Sequence, residues 1–210
     1  KNVYFYYEKG NDLLSSLSFT LNKGDTIGIV GSSGSGKSTL VSIILGFLKP
    51  IKGQVLLDGV SIDNVAVQDY FSYVPQFPFI SNDTLLNNIV YPGGDKNIQH
   101  IKQLMDSLGL SDLHNGRVAG LSDIVGESGI HLSGGQAQRV ALIRAIIQDK
   151  NIIVIDEGTS ALDLDASKKV IQILNRIKEE KIIIVISHRK DILEICNKVY
   201  SLDKKAFNEV

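Results

Sequence analysis

The sequence predicts an α/β fold with buried central strands. Three observations predict it. The runs "TIGIV" at 26–30, "NIIVIDE" at 151–157 and "KIIIVIS" at 181–187 carry continuous apolar stretches of strand length, as strands covered on both faces do. A glycine-rich loop follows the first run directly and leads into a helical stretch. Residues 163–178 place Val170, Ile173, Leu174 and Ile177 at i, i+3, i+4 and i+7, the apolar stripe of an amphipathic helix.

Along the chain, Val3 to Tyr7 alternates weakly and is rich in aromatics, which predicts a strand. "NDL" at 11–13 is a loop. Phe19 and Leu21 face one way in a further strand that ends at the turn signal "NKGD". "TIGIV" is a central strand ending at Gly31. A helix is expected from Lys37 to about Leu48, stopped before Pro50. "GQVLLDGV" at 53–60 is strand and turn, and "YFSYVPQ" ends another strand near Gln76. Between about 77 and 145 strand runs are sparse, and "IQHIKQLMDSLGL" has helical periodicity. The plan is α/β at both ends with a helical insert. There are no internal repeats and no low-complexity linker.

The 210 residues suffice for one domain with a substantial core. With 43% hydrophobic and 21% charged residues and a net charge of -1, the composition is ordinary for a globular domain. It makes no electrostatic case for nucleic acid as main partner, because such domains are usually strongly basic. Cys196 is the only cysteine, so no internal disulfide can form, and a reducing compartment fits. No apolar run approaches the roughly 18 residues of a membrane span. The sequence opens on Lys1 without Met or a signal-peptide pattern, which fits a domain excised from a longer protein.

"GSSGSGKST" at 31–39 fits G-x-x-x-x-G-K-[ST] and has the strand before it and the helix after it that this motif requires. Gly31, Gly34 and Gly36 allow positive φ, so that the backbone N–H groups of the loop can turn inward. Those amides, running through Ser32, Ser33 and Ser35, act with the positive end of the next helix to hold β- and γ-phosphates. Lys37 adds a mobile positive charge, and Ser38, followed by Thr39, offers a hydroxyl to Mg²⁺.

Asp156 and Glu157 fall at the C-terminal end of a buried strand, the edge where open α/β sheets bind ligands. Asp156 would help hold Mg²⁺ through water, and Glu157 would polarise an attacking water. This pairing points to nucleotide hydrolysis rather than phosphoryl transfer to a second substrate. The N-K-x-D box that specifies guanine is missing, since "NKVY" at 197–200 lacks the Asp, so adenine is the expected base.

With the phosphate loop, "IIVIDE" and "LSGGQ" in one chain, the sequence resembles the ATP-binding-cassette (ABC) family over essentially its whole length. Specifically it is similar to the nucleotide-binding domain of a membrane transporter. The resemblance implies a P-loop NTPase (RecA-like) core with an antiparallel β subdomain, about 1–76 and 146–210, and an α-helical subdomain, about 77–145. It implies ATP and Mg²⁺ as ligands. Tyr7 falls where the family stacks an aromatic ring on adenine, with Tyr6 one residue away as a rival. Gln76 resembles the Q-loop glutamine, whose amide oxygen can ligate Mg²⁺. "SALD" at 160–163 is similar to the D-loop, with Asp163 crossing a dimer interface. His188 follows the last buried strand as the switch histidine does. Ser133, Gly134, Gly135 and Gln136 would reach the ATP of a partner chain. "VGESG" at 125–129 and "TLLNNI" at 84–89 resemble exporter-type domains, in which the segment around 77–90 meets the coupling helices of the membrane domain.

Two positions depart from the pattern. Gly158 stands where the family usually has Ala or Pro, which is expected to loosen the D-loop. Ala137 replaces a frequent Arg or Lys. The resemblance thus implies an ATPase at the cytoplasmic face of a membrane, paired with a second nucleotide-binding domain as homodimer or heterodimer. It would be coupled to transmembrane domains in the same full-length chain, with no nucleic acid as partner. The rival readings are a soluble ABC ATPase acting on DNA or ribosomes, and a module that holds ATP without turnover.

Overall fold

In the computed structural model the three apolar runs lie side by side. The structure describes residues 1–113, 115, 120–160, 162–203 and 206–209. The elements in chain order are β1 (Val3–Phe5), β2 (Leu14–Leu17), β3 (Thr26–Val30), α1 (Lys37–Ile44), β4 (Leu56–Leu57), β5 (Val60–Ser61) and β6 (Phe71–Val74). There follow β7 (Asp83–Thr84), α2 (Leu85–Val90), α3 (Ile98–Ser107), β8 (Ile124–Val125), α4 (Gly134–Ile147) and β9 (Ile152–Asp156). The last are α5 (Leu164–Ile177), β10 (Ile182–Ile186), α6 (Lys190–Leu193), β11 (Lys198–Asp203) and β12 (Ala206–Glu209).

The main sheet has the order β12-β11-β3-β10-β9-β6. Its five strands from β11 to β6 run parallel, and β12 closes one edge antiparallel to β11. Alternation along each strand sends successive side chains to opposite faces. Ile153 and Ile155 of β9, with Ile183 and Val185 of β10, pack with residues of α4 and α5. Ile152 and Val154, with Ile184 and Ile186, pack on the other face with Leu40, Val41 and Ile43 of α1. Both faces being covered, the strands need apolar residues at every position, which is why their runs are continuous. Each isoleucine so buried contributes about 2 kcal/mol of transfer free energy.

Small antiparallel hairpins flank this core. β1 pairs with β2, and β4 pairs with β5 around Asp58 and Gly59, both at positive φ (48° and 85°), the turn that an Asp-Gly pair favours. Among the described residues between β6 and β9, the regular elements are helical apart from the two-residue strands β7 and β8. α3 is capped by Asn97, whose side chain accepts from Gln99 and His100 N–H groups, and buries Ile101 and Met105. Among the described residues no helix is long and apolar enough to cross a membrane.

Three expectations need correction. Phe19 and Leu21 lie outside any strand; the strand is four to five residues earlier, at Leu14–Leu17. The ladder with β1 stops there because Asn2 N–H donates to the Ser18 hydroxyl, a side-chain bond in place of a backbone one. Phe19 and Leu21 still pack against the core. Helix α1 ends at Ile44, not near Leu48. Gly46, at φ +73°, donates to Ile43 O and the next N–H, of Phe47, reaches back to Ser42 O at 2.8 Å, which is a Schellman stop ahead of Pro50. The strand expected to end near Gln76 ends at Val74, leaving Gln76 in the loop beyond. Strands β11 and β12 had no counterpart in the sequence reading.

Candidate nucleotide site

β3 runs into the glycine-rich loop, and the three loop glycines all take positive φ: 154° at Gly31, 78° at Gly34 and 103° at Gly36. Gly31 has a second reason to be glycine. A Cβ there would lie 2.6 Å from the carbonyl oxygen of Leu202 in the neighbouring strand β11. Lys37 Nζ donates to Gly31 O at 2.6 Å and to Ser32 O at 2.9 Å, closing the base of the loop. An ammonium has three donors, so one is left for an anion. α1 starts here behind Gly36, with no side-chain cap on its first turn. Its leading N–H groups and dipole therefore point at whatever fills the loop, the arrangement that binds phosphate.

The loop forms one wall of an open cleft of about 580 Å³. Ser33, Gly34, Gly36, Lys37, Ser38 and Thr39 line it, and so do Tyr7, Leu13, Gln76, Glu157 and His188. Residues far apart in sequence are thus gathered around one space. Gly31, Ser32 and Ser35 of the loop do not line it. Tyr7 is held there by a 3.1 Å hydrogen bond between its hydroxyl and Thr39 Oγ1, and its ring meets Phe5 edge-on at 5.0 Å. The Tyr7 ring is 68% exposed, whereas Tyr6 is only partly exposed and does not line the cleft.

The carboxylate pair separates as its sequence position predicts. Asp156 ends β9 buried, with Tyr73 Oη donating to it at 3.4 Å. Burial pushes its carboxyl above the usual range, the neighbouring Glu157 charge adds to that, and Tyr73 and Lys37 oppose it. The Tyr73 hydroxyl is in turn pushed up to about 12, by burial first and Asp156 second. Glu157 leaves the strand at φ +49°, a left-handed conformation that non-glycine residues rarely take outside functional or turn positions. Its N–H donates to Ile186 O at 2.9 Å, and its carboxylate accepts from Gln76 Nε2 at 2.7 Å. Gly158 is tightly packed rather than loosening the loop: a Cβ there would fall 2.7 Å from Val74 Cγ1.

The second glycine-rich helix start is built differently. Ser133 caps α4 by accepting from Gln136 N–H at 3.2 Å, while Gln136 Oε1 accepts from Ser133 N–H at 2.8 Å. This is a capping box, legible in S-x-x-Q. Ser133, Gly134, Gly135 and Gln136 do not line the cleft of their own chain. Asp163 caps α5 by accepting from Ala166 N–H at 2.8 Å and stays exposed. Of the "SALD" stretch, Ala161 lies outside the described residues.

The ABC transporter family model matches residues 14–160, most of the chain. The chain belongs to the ABC transporter family. It is an ATP-hydrolysing domain of the kind that ABC exporters carry. Over the whole chain it is 35% identical to an ATP-dependent lipid A-core flippase of Vibrio vulnificus and 34% identical to one of Pasteurella multocida, spanning 37% of each of those proteins. It is 33% identical, over 97% of its length, to a putative export ATP-binding/permease protein of Rickettsia typhi, of which it spans 36%. A bacterial Atm1-family ABC exporter with ATP bound superposes with a TM-score of 0.89 at 30% identity, over 99% of this chain and 37% of the other.

Two side chains of this ABC domain that the sequence reading passed over connect its motifs. Arg189, next to His188 in the chain, donates to Leu162 O at 2.7 Å and Thr159 O at 3.2 Å and pairs with Asp191 at 2.8 Å. It ties the turn carrying His188 to Thr159 and Leu162, ahead of α5. Arg144 of α4 donates to Asn88 O at 2.7 Å and to Phe79 O from both terminal nitrogens. It holds the segment whose Phe77, Phe79 and Tyr91 side chains are largely exposed. No local pattern marks the reach of either arginine to these loops, since the atoms it finds there are backbone carbonyls far away in sequence.

Proposed function

We propose that this domain powers an exporter by closing head to tail with a second nucleotide-binding domain around two ATP molecules. The observation that carries the reading is the separation of two anion-binding helix starts. The start of α1 opens into the chain's own cleft, and Ser133 to Gln136 stand outside it. A hydroxyl is both donor and acceptor, so Ser133 can cap α4 and still donate to the γ-phosphate of a partner's ATP. ATP bridges the two halves because each gains contacts with it, and hydrolysis removes the bridge.

Within the cleft, the loop amides, Lys37 and Thr39 hold the phosphates, and Tyr7 stacks on adenine. Glu157 takes a proton from water as the water oxygen bonds to the γ-phosphorus and the bond to ADP breaks. His188 donates to the γ-phosphate, and Asp163 lies at the closed interface. The Ser38 hydroxyl, the Gln76 amide oxygen and the Asp156 carboxylate are the hard oxygen ligands Mg²⁺ prefers. Burial of Asp156 raises the cost of its charge, which a bound cation would offset. Bound there, Mg²⁺ would neutralise charge on the phosphates.

In this reading residues 1–210 form one nucleotide-binding domain, with a helical part at about 77–145 and the core and β part in the remainder. It works at the cytoplasmic face of a membrane, coupled to transmembrane domains through the segment around 77–90. The relatives' greater length supports that coupling. The test is a pair of variants in the full chain. Glu157→Gln should keep ATP binding, abolish turnover and trap an ATP-bound dimer. Ser133→Arg should leave ATP binding to the monomer nearly intact and block closure. Near-normal turnover in the first, or lost monomer binding in the second, would sink the reading.

A further inference from the structure

We propose that Gln138 is a positioning residue that braces Glu157 from the signature helix without touching it. The inference rests on the ATPase reading above and adds a residue to it.

Gln138 sits in the second turn of α4 and is 3% exposed. The other buried residues of that helix are Val140, Ala141, Leu142, Ile143, Ala145, Ile146 and Ile147, so the amide stands in an apolar row. A buried amide is costly unless it is hydrogen-bonded, and an apolar side chain of the same size would avoid that cost. Its bonds therefore say why it is there. Gln138 Nε2 donates to the main-chain oxygen of Gln76 at 3.3 Å and to Ser160 Oγ at 3.2 Å.

Both partners lead to the same residue. Gln76 donates through its side chain to the Glu157 carboxylate at 2.7 Å. Ser160 donates through its backbone N–H to Glu157 O at 3.0 Å. Gln138 thus holds the loop before Glu157's carboxylate and the turn after its backbone, from a helix whose first residues serve the partner's nucleotide. A shift of α4 on meeting that nucleotide moves both braces together. One chain's grip on its partner's ATP is in this way linked to the placing of the carboxylate over its own.

The test uses the full chain with wild type, Gln138→Met, Ser160→Ala and the double variant. Methionine keeps the size and burial and removes both donors. The kcat of Gln138→Met should fall about tenfold, as for a small misplacement of a reacting group. The Kd for ATP and the melting temperature should stay close to wild type. Ser160→Ala, at an exposed position, should lower kcat less, and the two losses should not add, as for residues in one network. A kcat within twofold of wild type in Gln138→Met overturns the positioning role. So does a loss of kcat that comes with an equal loss of ATP affinity and of melting temperature, or fully additive losses. A wild-type chain without turnover overturns the ATPase reading and this one with it. Turnover in wild type with an unaffected variant overturns this one only.

Discussion

Gln76 Nε2 lies 2.7 Å from Glu157 Oε2, joining the loop after β6 to the residue after β9. The two strands are parallel neighbours, paired from Phe71 with Ile152 to Val74 with Ile155. Their C-terminal ends therefore deliver the two side chains to one place, although 81 positions separate them. Gln76→Ala removes the group that orients the carboxylate and leaves the phosphate loop untouched. Turnover should fall about tenfold or more, as for loss of a general base's orientation, with ATP affinity changed only a few-fold. Phosphate release against a nucleotide titration measures both.

Ser133 caps α4 as well as facing outward. Replacing it by alanine should cost about 1 kcal/mol of stability. For a domain of this size that is a fall in melting temperature of about 2–4 °C. A thermal melt of Ser133→Ala with no such fall would show that the cap is not formed in solution.

Gly158→Ala puts a methyl carbon 2.7 Å from Val74 Cγ1 and 3.2 Å from Ile155 Cγ2. Val74 is 1% exposed, so it has little room to yield. Overpacking of this kind costs about 1–3 kcal/mol, readable as a lower denaturant midpoint. An unchanged midpoint would mean that β6 gives way easily.

Asp191 provides a pH test. Its bond with Arg189, helped by Ser167, holds its carboxyl down to about 2 from an ordinary 3.8. A carboxyl depressed by folding adds stability above its unfolded value, and that stability is lost as the pH falls through the folded one. Wild type should therefore exceed Asp191→Asn in stability at about pH 6, with the gap closing between about pH 4 and pH 2. Melting curves across that range decide it; a gap independent of pH would place the effect elsewhere.

Much of the site was legible because its chemistry depends on local spacing. The phosphate loop needs its glycines at set intervals between a strand and a helix, and "GSSGSGKST" supplies them. Asp163 at the start of an amphipathic stripe marked α5, and the helix runs from Leu164 to Ile177 with Asp163 as its cap. The strand predicted at Phe19 and Leu21 was misplaced because side-chain burial there does not require a ladder. α1 stops at Ile44 rather than near Leu48 because Gly46, at positive φ, ends it before Pro50 can. The capping box of α4 is local too, written in "SGGQ" as S-x-x-Q.

What the sequence by itself determined was the chemistry within each short stretch: the loop amides, the buried strand ending in Asp156 and Glu157, and the signature helix. Only the tertiary structure decided how the stretches meet. Gly31 must be glycine because β11 passes at 2.6 Å from where its Cβ would be. Gln138, Arg144 and Arg189 matter because of carbonyls 27 to 65 positions away, reached from helices or turns that only packing brings alongside. Backbone acceptors are the same in every residue, so the sequence carries no mark of which one a long side chain will find.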